Sequence, residues 1–218
     1  MRTQRKFIIT VILFLAVVIA FAVRNNRMRT EIVFAKSLDE SVMTIDEKIV
    51  TLEEIAFYVA YEEKAVQEQA LVYDPENPKK YWNVHDNGTF ISAMAKRTVL
   101  EMAAHDIIFF DMASAEGITL TDEEEAYYQN EAYDFCSDLD EKQLEALGVT
   151  EDVLYETMRK IAVANKYQSI LCQVEGVDYE DYNFDKTAYL ALKESHEIVV
   201  NEKIWDRVAV GDVTLDNE

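Results

Sequence analysis

Apolar side chains recur at helical spacing in three long stretches of this chain, and these stretches predict its principal helices. They cover residues 52–71, residues 90–116 and residues 150–174. The second stretch is apolar on most of its sides, which is typical of a helix at the centre of a bundle. The pattern therefore predicts a mainly α-helical domain.

Capping residues and glycines set the boundaries of these helices and indicate shorter ones. Residues 51–54 (TLEE) and 121–124 (TDEE) each fit a capping box, in which a Thr hydroxyl and a Glu carboxylate satisfy free backbone N–H groups. Thr89 and Thr150 are further candidate N-caps, and Gly117 and Gly148 suit the left-handed position after a helix. Shorter helices are predicted over residues 122–136, 140–147 and 185–194.

Two stretches near the ends of the body alternate between apolar and polar positions. Residues 42–51 do so weakly around Asp46 and Glu47, which favours a pair of short strands or an extended entry segment, with a turn at that acidic pair. Residues 197–210 do so more regularly and predict further β-structure. We expect these stretches to pair and so to form a small β element that joins the chain ends.

The longest run without a charged residue, residues 7–23, is apolar except for Thr10 and lies between two groups of basic residues. As a helix it would span about 26 Å, near the lower limit for crossing a bilayer. A retained transmembrane anchor is the preferred interpretation, and a secretory signal cleaved after Ala22 is the alternative. A buried core helix is the weakest alternative, because such helices rarely carry basic residues at both ends of so long an apolar run.

The charge of the chain reverses after this run. All 42 acidic residues but only 15 of the 21 Lys and Arg residues lie from residue 31 onward, a net charge of −27. This excess argues against nucleic-acid binding, because phosphates would be repelled. It favours a body outside a bacterial cytoplasmic membrane, held by a single span or secreted after cleavage. The predicted organisation is an anchor or signal (1–30), a stem (31–41), a helical domain (42–176), and a C-terminal helix and β-segment packing back on that domain (177–218).

Four segments together resemble a known family. They are KIVTLEEIAFYV (48–59), YWNVHDNGTF (81–90), EGITLTDEEEAYY (116–128) and LGVTEDVLYETMRKIAVANKYQSIL (147–171). In this order they resemble the N-terminal chaperone domain of SurA- and PrsA-type extracytoplasmic folding factors. The resemblance covers about residues 42–172 and implies a helical module that binds clients or partners.

The chain departs from that family at its C-terminal end. Family members usually carry a parvulin-type prolyl isomerase domain, and only about 40 residues follow Gly176, which is too few for one. The resemblance therefore does not imply prolyl isomerase activity for this chain, and we expect a protein that is not an enzyme.

The residue types that commonly act in catalysis or bind metals show no arrangement typical of an active site. His85, His105 and His196 are scattered, and no metalloprotease, nucleophile-elbow or phosphate-loop motif occurs. We expect His105 to be a satisfied histidine at the edge of the core. Acidic runs at helix starts are explained by the helix dipole, so neither a metal nor a cofactor is expected. Export would allow a disulfide between Cys136 and Cys172, and two buried free thiols are the alternative.

The functional hypothesis rests on the many methionine and aromatic residues of the chain. Flexible Met and amphipathic Tyr suit surfaces that accept varied apolar peptides, although most such residues fill cores. The chosen candidates for a peptide-binding cleft are Tyr58, Tyr61, Tyr81, Trp82, Met94, Tyr127 and Tyr128.

The predicted function is a membrane-tethered, chaperone-like module for unfolded or exported polypeptides, without catalysis. A structural subunit that docks one fixed envelope partner is the alternative, and a prolyl isomerase is a weaker one.

Overall fold

A small antiparallel sheet joins the two ends of the body in the computed structural model, which describes residues 30–215. Strands β1 (Ser41–Ile45) and β2 (Lys48–Thr51) form a hairpin, and β5 (Ile198–Val200) adds to the other side of β1. In the register, Met43 lies opposite both Val50 and Val200. The sheet therefore ties the start of the domain to a segment about 150 residues later.

The hairpin turn lies at the acidic pair that the sequence indicated. Asp46 has a positive φ of 53°, a conformation that Asp tolerates better than most residues. Its carboxylate accepts a hydrogen bond from the backbone N–H of Glu197 at 2.8 Å and contacts Nδ1 of His196 at the same distance. The bond with His196, followed by that with Glu197, lowers the pKa of Asp46.

Helix α1 (Leu52–Tyr73) follows β2 directly and starts with the predicted capping box. The Thr51 hydroxyl accepts from the Glu54 N–H, while the Glu54 carboxylate accepts from the Thr51 N–H at 2.9 Å. A buried face follows at helical spacing, with Leu52, Ile55 and Val59 fully buried. The prediction of this helix and of its start is confirmed.

The segment between α1 and the next long helix contains short elements of its own. A one-turn helix, α2 (Lys79–Trp82), precedes a two-residue hairpin made of β3 (His85–Asp86) and β4 (Thr89–Phe90). Thr89 was predicted to cap the next helix and does not, since it pairs with Asp86 in that hairpin. The N-cap position of α3 (Ile91–Ala115) is Phe90, which makes no side-chain cap.

Helix α4 (Asp122–Ser137) begins with the predicted Thr121 capping box, and α5 (Glu141–Leu147) begins with a second box from Asp140. Helix α6 (Glu151–Glu175) has Thr150 at its N-cap position but no hydrogen bond from that side chain. Gly148, between α5 and α6, has φ of 70°, and a Cβ there would lie 2.6 Å from Ala35. Glycine is thus required at this position for two reasons, the left-handed backbone conformation and the close contact with Ala35.

Helix α3 lies at the centre of the helical layer, as its all-round apolar pattern predicted. It packs against α6 along most of its length and also against α1. Four of the buried residues of α3 are alanines, whose small side chains are of the kind that lets two helix backbones come near each other. They are Ala95, Ala103, Ala104 and Ala113.

The core has two parts. The larger one includes the sheet, α1 and the first half of α3. The smaller one surrounds Phe109 and includes Tyr167, Tyr182 and the fully buried Tyr189. The mainly helical fold with a small sheet is therefore confirmed. Within residues 30–215, no helix is both long and apolar enough to span a membrane, and the predicted anchor falls on residues that lie outside this range.

The segments that flank the helices pack onto them. Residues 31–41, predicted as a polar stem, include a short 3₁₀ helix (Phe34–Lys36) whose Phe34 is buried. The N–H of Ile32 donates to the carbonyl of Arg207 at 3.0 Å, so the stem residues contact the C-terminal segment.

The prediction of β-structure through residue 210 is wrong beyond β5. After α7 (Thr187–Lys193) and β5, the short helix α8 (Glu202–Trp205) begins, and turns follow it. The Asn201 side chain donates to the Ser41 carbonyl, and the Asn201 carbonyl accepts from the Ile204 N–H. These bonds turn the chain out of the sheet, so that Trp205 is buried where an extended strand was expected.

A buried carboxylate holds the C-terminal segment in place. Glu63 on α1 is fully buried, and its oxygens accept from the N–H groups of Gly211 (2.6 Å), Val213 (3.1 Å) and Thr214 (2.7 Å) and from the Thr214 hydroxyl. Burial raises the pKa of Glu63, and these hydrogen bonds act in the opposite direction. The loop therefore packs around one fixed group of acceptors.

We expect Glu63→Gln to lower the free energy of unfolding by about 2–3 kcal/mol, because its amide would face N–H donors and leave buried donors unpaired. Urea unfolding of the full chain measures this. The control is Glu68→Gln, an exposed carboxylate on the same helix, which should change the free energy by less than about 0.5 kcal/mol. Equal stability of Glu63→Gln and the unmodified protein would contradict this role for Glu63.

Candidate functional site

A groove with a volume of about 710 Å³ lies between α4 and α6. It exists because only the C-terminal half of α4 packs against the core. The first buried residues of α4 are Ala132 and Cys136, and the Phe135 ring lies 4.8 Å from that of Phe57. The first half of α4 buries no residue, so a space remains between it and α6.

The walls of the groove are mostly apolar. One wall is formed by α4 with Tyr127 and Tyr128, of which Tyr127 is 69% exposed. The opposite wall is formed by α6 with Met158, Ile161 and Ala162, which are half-buried. The combination of flexible Met, branched aliphatic and aromatic side chains suits contact with apolar groups of varied shape.

Two ion pairs connect the walls. Lys166 on α6 donates to the Glu124 carboxylate at 2.6 Å and to the Thr119 carbonyl at 2.9 Å. Arg159 on α6 donates to one oxygen of Glu125 through both Nε (3.0 Å) and Nη2 (2.7 Å). The hydrogen bond from Lys166 lowers the pKa of Glu124 to about 2. These contacts hold α4 at a fixed position beside α6 without filling the groove.

Tyr179 lies on the α6 side of the groove. It belongs to the 3₁₀ helix Tyr179–Tyr182, its hydroxyl donates to Asn165 at 3.2 Å, and its carbonyl accepts from Gln168 at 2.9 Å. Leu120, in the turn before α4, also lines the groove. The turn before α4 and the 3₁₀ helix after α6 therefore help α4 and α6 to shape the groove.

The structure places only two of the seven predicted peptide-binding residues, Tyr127 and Tyr128, in this groove. Tyr61 is about half exposed but stacks on Phe57, with ring centroids 5.8 Å apart. Tyr81 donates its hydroxyl to Gln69 at 3.0 Å, and Met94 is half-buried against the larger core. These last three residues do not form a common surface with the groove.

The two remaining predicted residues, Tyr58 and Trp82, are buried. Tyr58 is 4% exposed, on the side of α1 that faces Asp106 and Ile107 of α3. Trp82 was expected to be exposed in a cleft, but it is 7% exposed because Gly211 lies over its ring. A Cβ at Gly211 would come within 2.7 Å of that ring, so the contact requires glycine.

Most groove residues were not among the predicted site residues, including four of its large apolar or aromatic side chains. Leu120, Met158, Ile161 and Tyr179 all line the groove. Met158 and Ile161 lie in the predicted helical stretch 150–174, but neither was among the candidates chosen for the cleft. A signal was present in α4, where the first three turns offer Tyr127 and Tyr128 but no aliphatic stripe that could cover the apolar face of α6.

The cysteines do not pair. Cys136 lies in the larger core cluster and Cys172 in the smaller one, and both are buried free thiols. The disulfide that export would allow is thus not formed, because the residues belong to different parts of the core. Burial raises the pKa of Cys136 to about 11 and also raises that of Cys172.

His105 is a core histidine, as interpreted from the sequence. It is 8% exposed, with Nδ1 2.8 Å from the Asp106 carboxylate and Nε2 2.9 Å from the Tyr182 carbonyl. Among residues 30–215, no three His, Cys, Asp or Glu side chains are grouped so that they could hold a metal ion.

Comparisons of the chain with protein-family models, with curated proteins and with solved structures gave no match.

Because both thiols are buried and have raised pKa values, we expect Cys136 and Cys172 to react with iodoacetamide at least about tenfold more slowly in the native protein than in urea. Mass spectrometry without reductant should find two alkylated cysteines after unfolding. A chain that shows no free thiol in urea would contradict the two separate sites.

Proposed function

We propose that this protein is a membrane-tethered, extracytoplasmic module that holds unfolded or exported polypeptides in the groove between α4 and α6. The observation that carries the proposal is the apolar groove itself, which is bordered by the exposed Tyr127 and the half-buried Met158 and Ile161. Concave, mostly apolar sites with a few polar groups are where proteins usually bind their ligands.

The size of the groove fits short apolar segments. Its volume lies within the range of about 300–1,000 Å³ found for ligand pockets. Each Leu- or Phe-sized side chain buried there contributes about 1.5–3 kcal/mol, and the ordering of the bound chain offsets much of this. Binding through a single groove would therefore be weak and reversible, so release requires no nucleotide hydrolysis.

The location follows from the first 30 residues. The apolar run 7–23 with its basic flanks supplies the proposed anchor, and the acidic body after residue 31 would lie outside a bacterial cytoplasmic membrane. Cleavage after Ala22 would give a secreted protein with the same groove. The resemblance of residues 42–172 to the SurA- and PrsA-type chaperone domain supports the same proposal.

A second candidate function is the docking of one fixed envelope partner. It is favoured by an exposed apolar group at the end of α1, where Leu71, Val72 and Tyr73 are 47%, 87% and 59% exposed. A pull-down that recovers one stoichiometric partner, lost on Val72→Asp but retained on Ile161→Glu, would favour this function over chaperone activity.

We expect the full chain to suppress aggregation of a chemically denatured secreted protein, and we expect Ile161→Glu to lose most of that effect. A charge in the middle of the groove would remain unpaired against an apolar client segment. Light scattering at several-fold molar excess measures this, with the protein held in phosphatidylcholine nanodiscs and with empty nanodiscs as the blank.

The matched control is Val174→Glu, which adds the same charge on the same helix at a position that is 78% exposed and outside the groove. Val174→Glu should suppress aggregation as the unmodified protein does. No suppression by the unmodified protein, or equal suppression by the two variants, would contradict a client site in the groove.

A further inference from the structure

A stripe of three residues on α4 gives the groove a chemical preference beyond its apolar character. Glu123, Tyr127 and Glu131 follow one another at four-residue intervals, so they lie on one face of the helix, and all three line the groove. Tyr127 therefore has a carboxylate one helical turn away on each side.

These two carboxylates differ from their neighbours in having no cation. Glu124 and Glu125 are bound by Lys166 and Arg159 of α6. Glu123 and Glu131 are exposed and make no ion pair within the part of the chain that the structure describes. The basic side chains of α6 beside the groove are thus already engaged, and the charge left at the rim is negative.

We infer that the groove selects apolar segments that carry Arg or Lys, an inference that rests on the function proposed above. Glu123 and Glu131 are two α-helical turns apart, about 12 Å along the axis. An extended peptide covers that distance in about four residues, at about 3.3 Å each. Two basic side chains four positions apart can therefore reach both carboxylates while apolar side chains between them enter the groove.

Tyr127 adds to this preference for cations. Its ring is 69% exposed between the two carboxylates, and an Arg guanidinium or Lys ammonium near them can also lie over the ring face. An acidic segment would meet repulsion at both ends. A second copy of this chain is disfavoured for the same reason, since each copy carries a net charge of −21.

The test uses three fluorescein-labelled peptides with the same apolar sequence, differing only at two positions four residues apart, which are both Arg, both Gln or both Glu. Anisotropy with the full chain in phosphatidylcholine nanodiscs should give affinities in the order Arg, Gln, Glu. Glu123→Gln/Glu131→Gln should weaken binding of the Arg peptide roughly three- to tenfold, the range for two exposed ion pairs, and should not weaken binding of the Gln peptide. The Arg preference should also shrink between 50 mM and 500 mM salt.

The matched control is Asp122→Asn/Asp134→Asn, which removes the same number of charges from exposed positions of α4 that do not line the groove. It should bind the Arg peptide like the unmodified protein. Equal losses in the two double variants, or equal affinity for the Arg and Gln peptides, would overturn the inference while leaving the proposed function intact.

Two other outcomes are distinguishable. If none of the three peptides binds, the proposed function fails together with the inference. The third measurement uses a peptide of residues 1–29 and a shortened chain that lacks those residues. Competition by that peptide, together with unchanged affinity of the shortened chain for the Arg peptide, would support a basic apolar segment of another protein as the occupant. Tighter binding by the shortened chain would instead assign the groove to the chain's own basic N-terminal segment and overturn the inference of a partner.

Discussion

The packing of α3 against α6 is the contact on which the rest of the structure depends. Phe109 and Ala113 of α3 share a buried apolar cluster with Val163, Ala164 and Tyr167 of α6. This contact uses one side of α6. The adjacent side of α6, with Met158 and Ile161, faces α4. The way in which α4 is attached to the domain therefore determines how much of that side is covered.

Helix α4 is attached at one end and held by charges at the other. Its C-terminal half is anchored by Ala132 and Cys136 in the core, whereas its N-terminal half depends on Glu124 and Glu125 with their partners on α6. Partly exposed ion pairs fix a position but contribute little stability, so the N-terminal half of α4 is held less by packing than the C-terminal half. The groove therefore lies where α4 is positioned by charges and not by buried side chains.

Local chemistry made most of the fold predictable. The Thr51 and Thr121 capping boxes set helix starts correctly, because a cap depends on residues within one turn. Period-two spacing was correct only up to Val200, since the rest of the C-terminal segment is shaped by distant groups. Glu63 binds its backbone and Gly211 lies on Trp82, and neither contact has a local signal.

The site was less predictable than the fold for the same reason. Tyr58 and Tyr127 both stand in helices at positions compatible with an apolar face, yet one is 4% and the other 69% exposed. The difference depends on which neighbouring helix covers each face, and that is a property of the tertiary arrangement. The groove exists because the first half of α4 has no stripe of aliphatic residues to pack against α6. That absence has a consequence only because α6 lies opposite, and the sequence alone did not show which helix would lie there.

Amide hydrogen exchange of the full chain, with and without excess unfolded client, tests most directly whether the uncovered side of α6 is where polypeptides bind. The account predicts slower exchange on client binding in residues 120–131 and 158–169, with no change in the Ser41–Thr51 hairpin. Slower exchange confined to the hairpin or to the end of α1, with the groove helices unchanged, would contradict it.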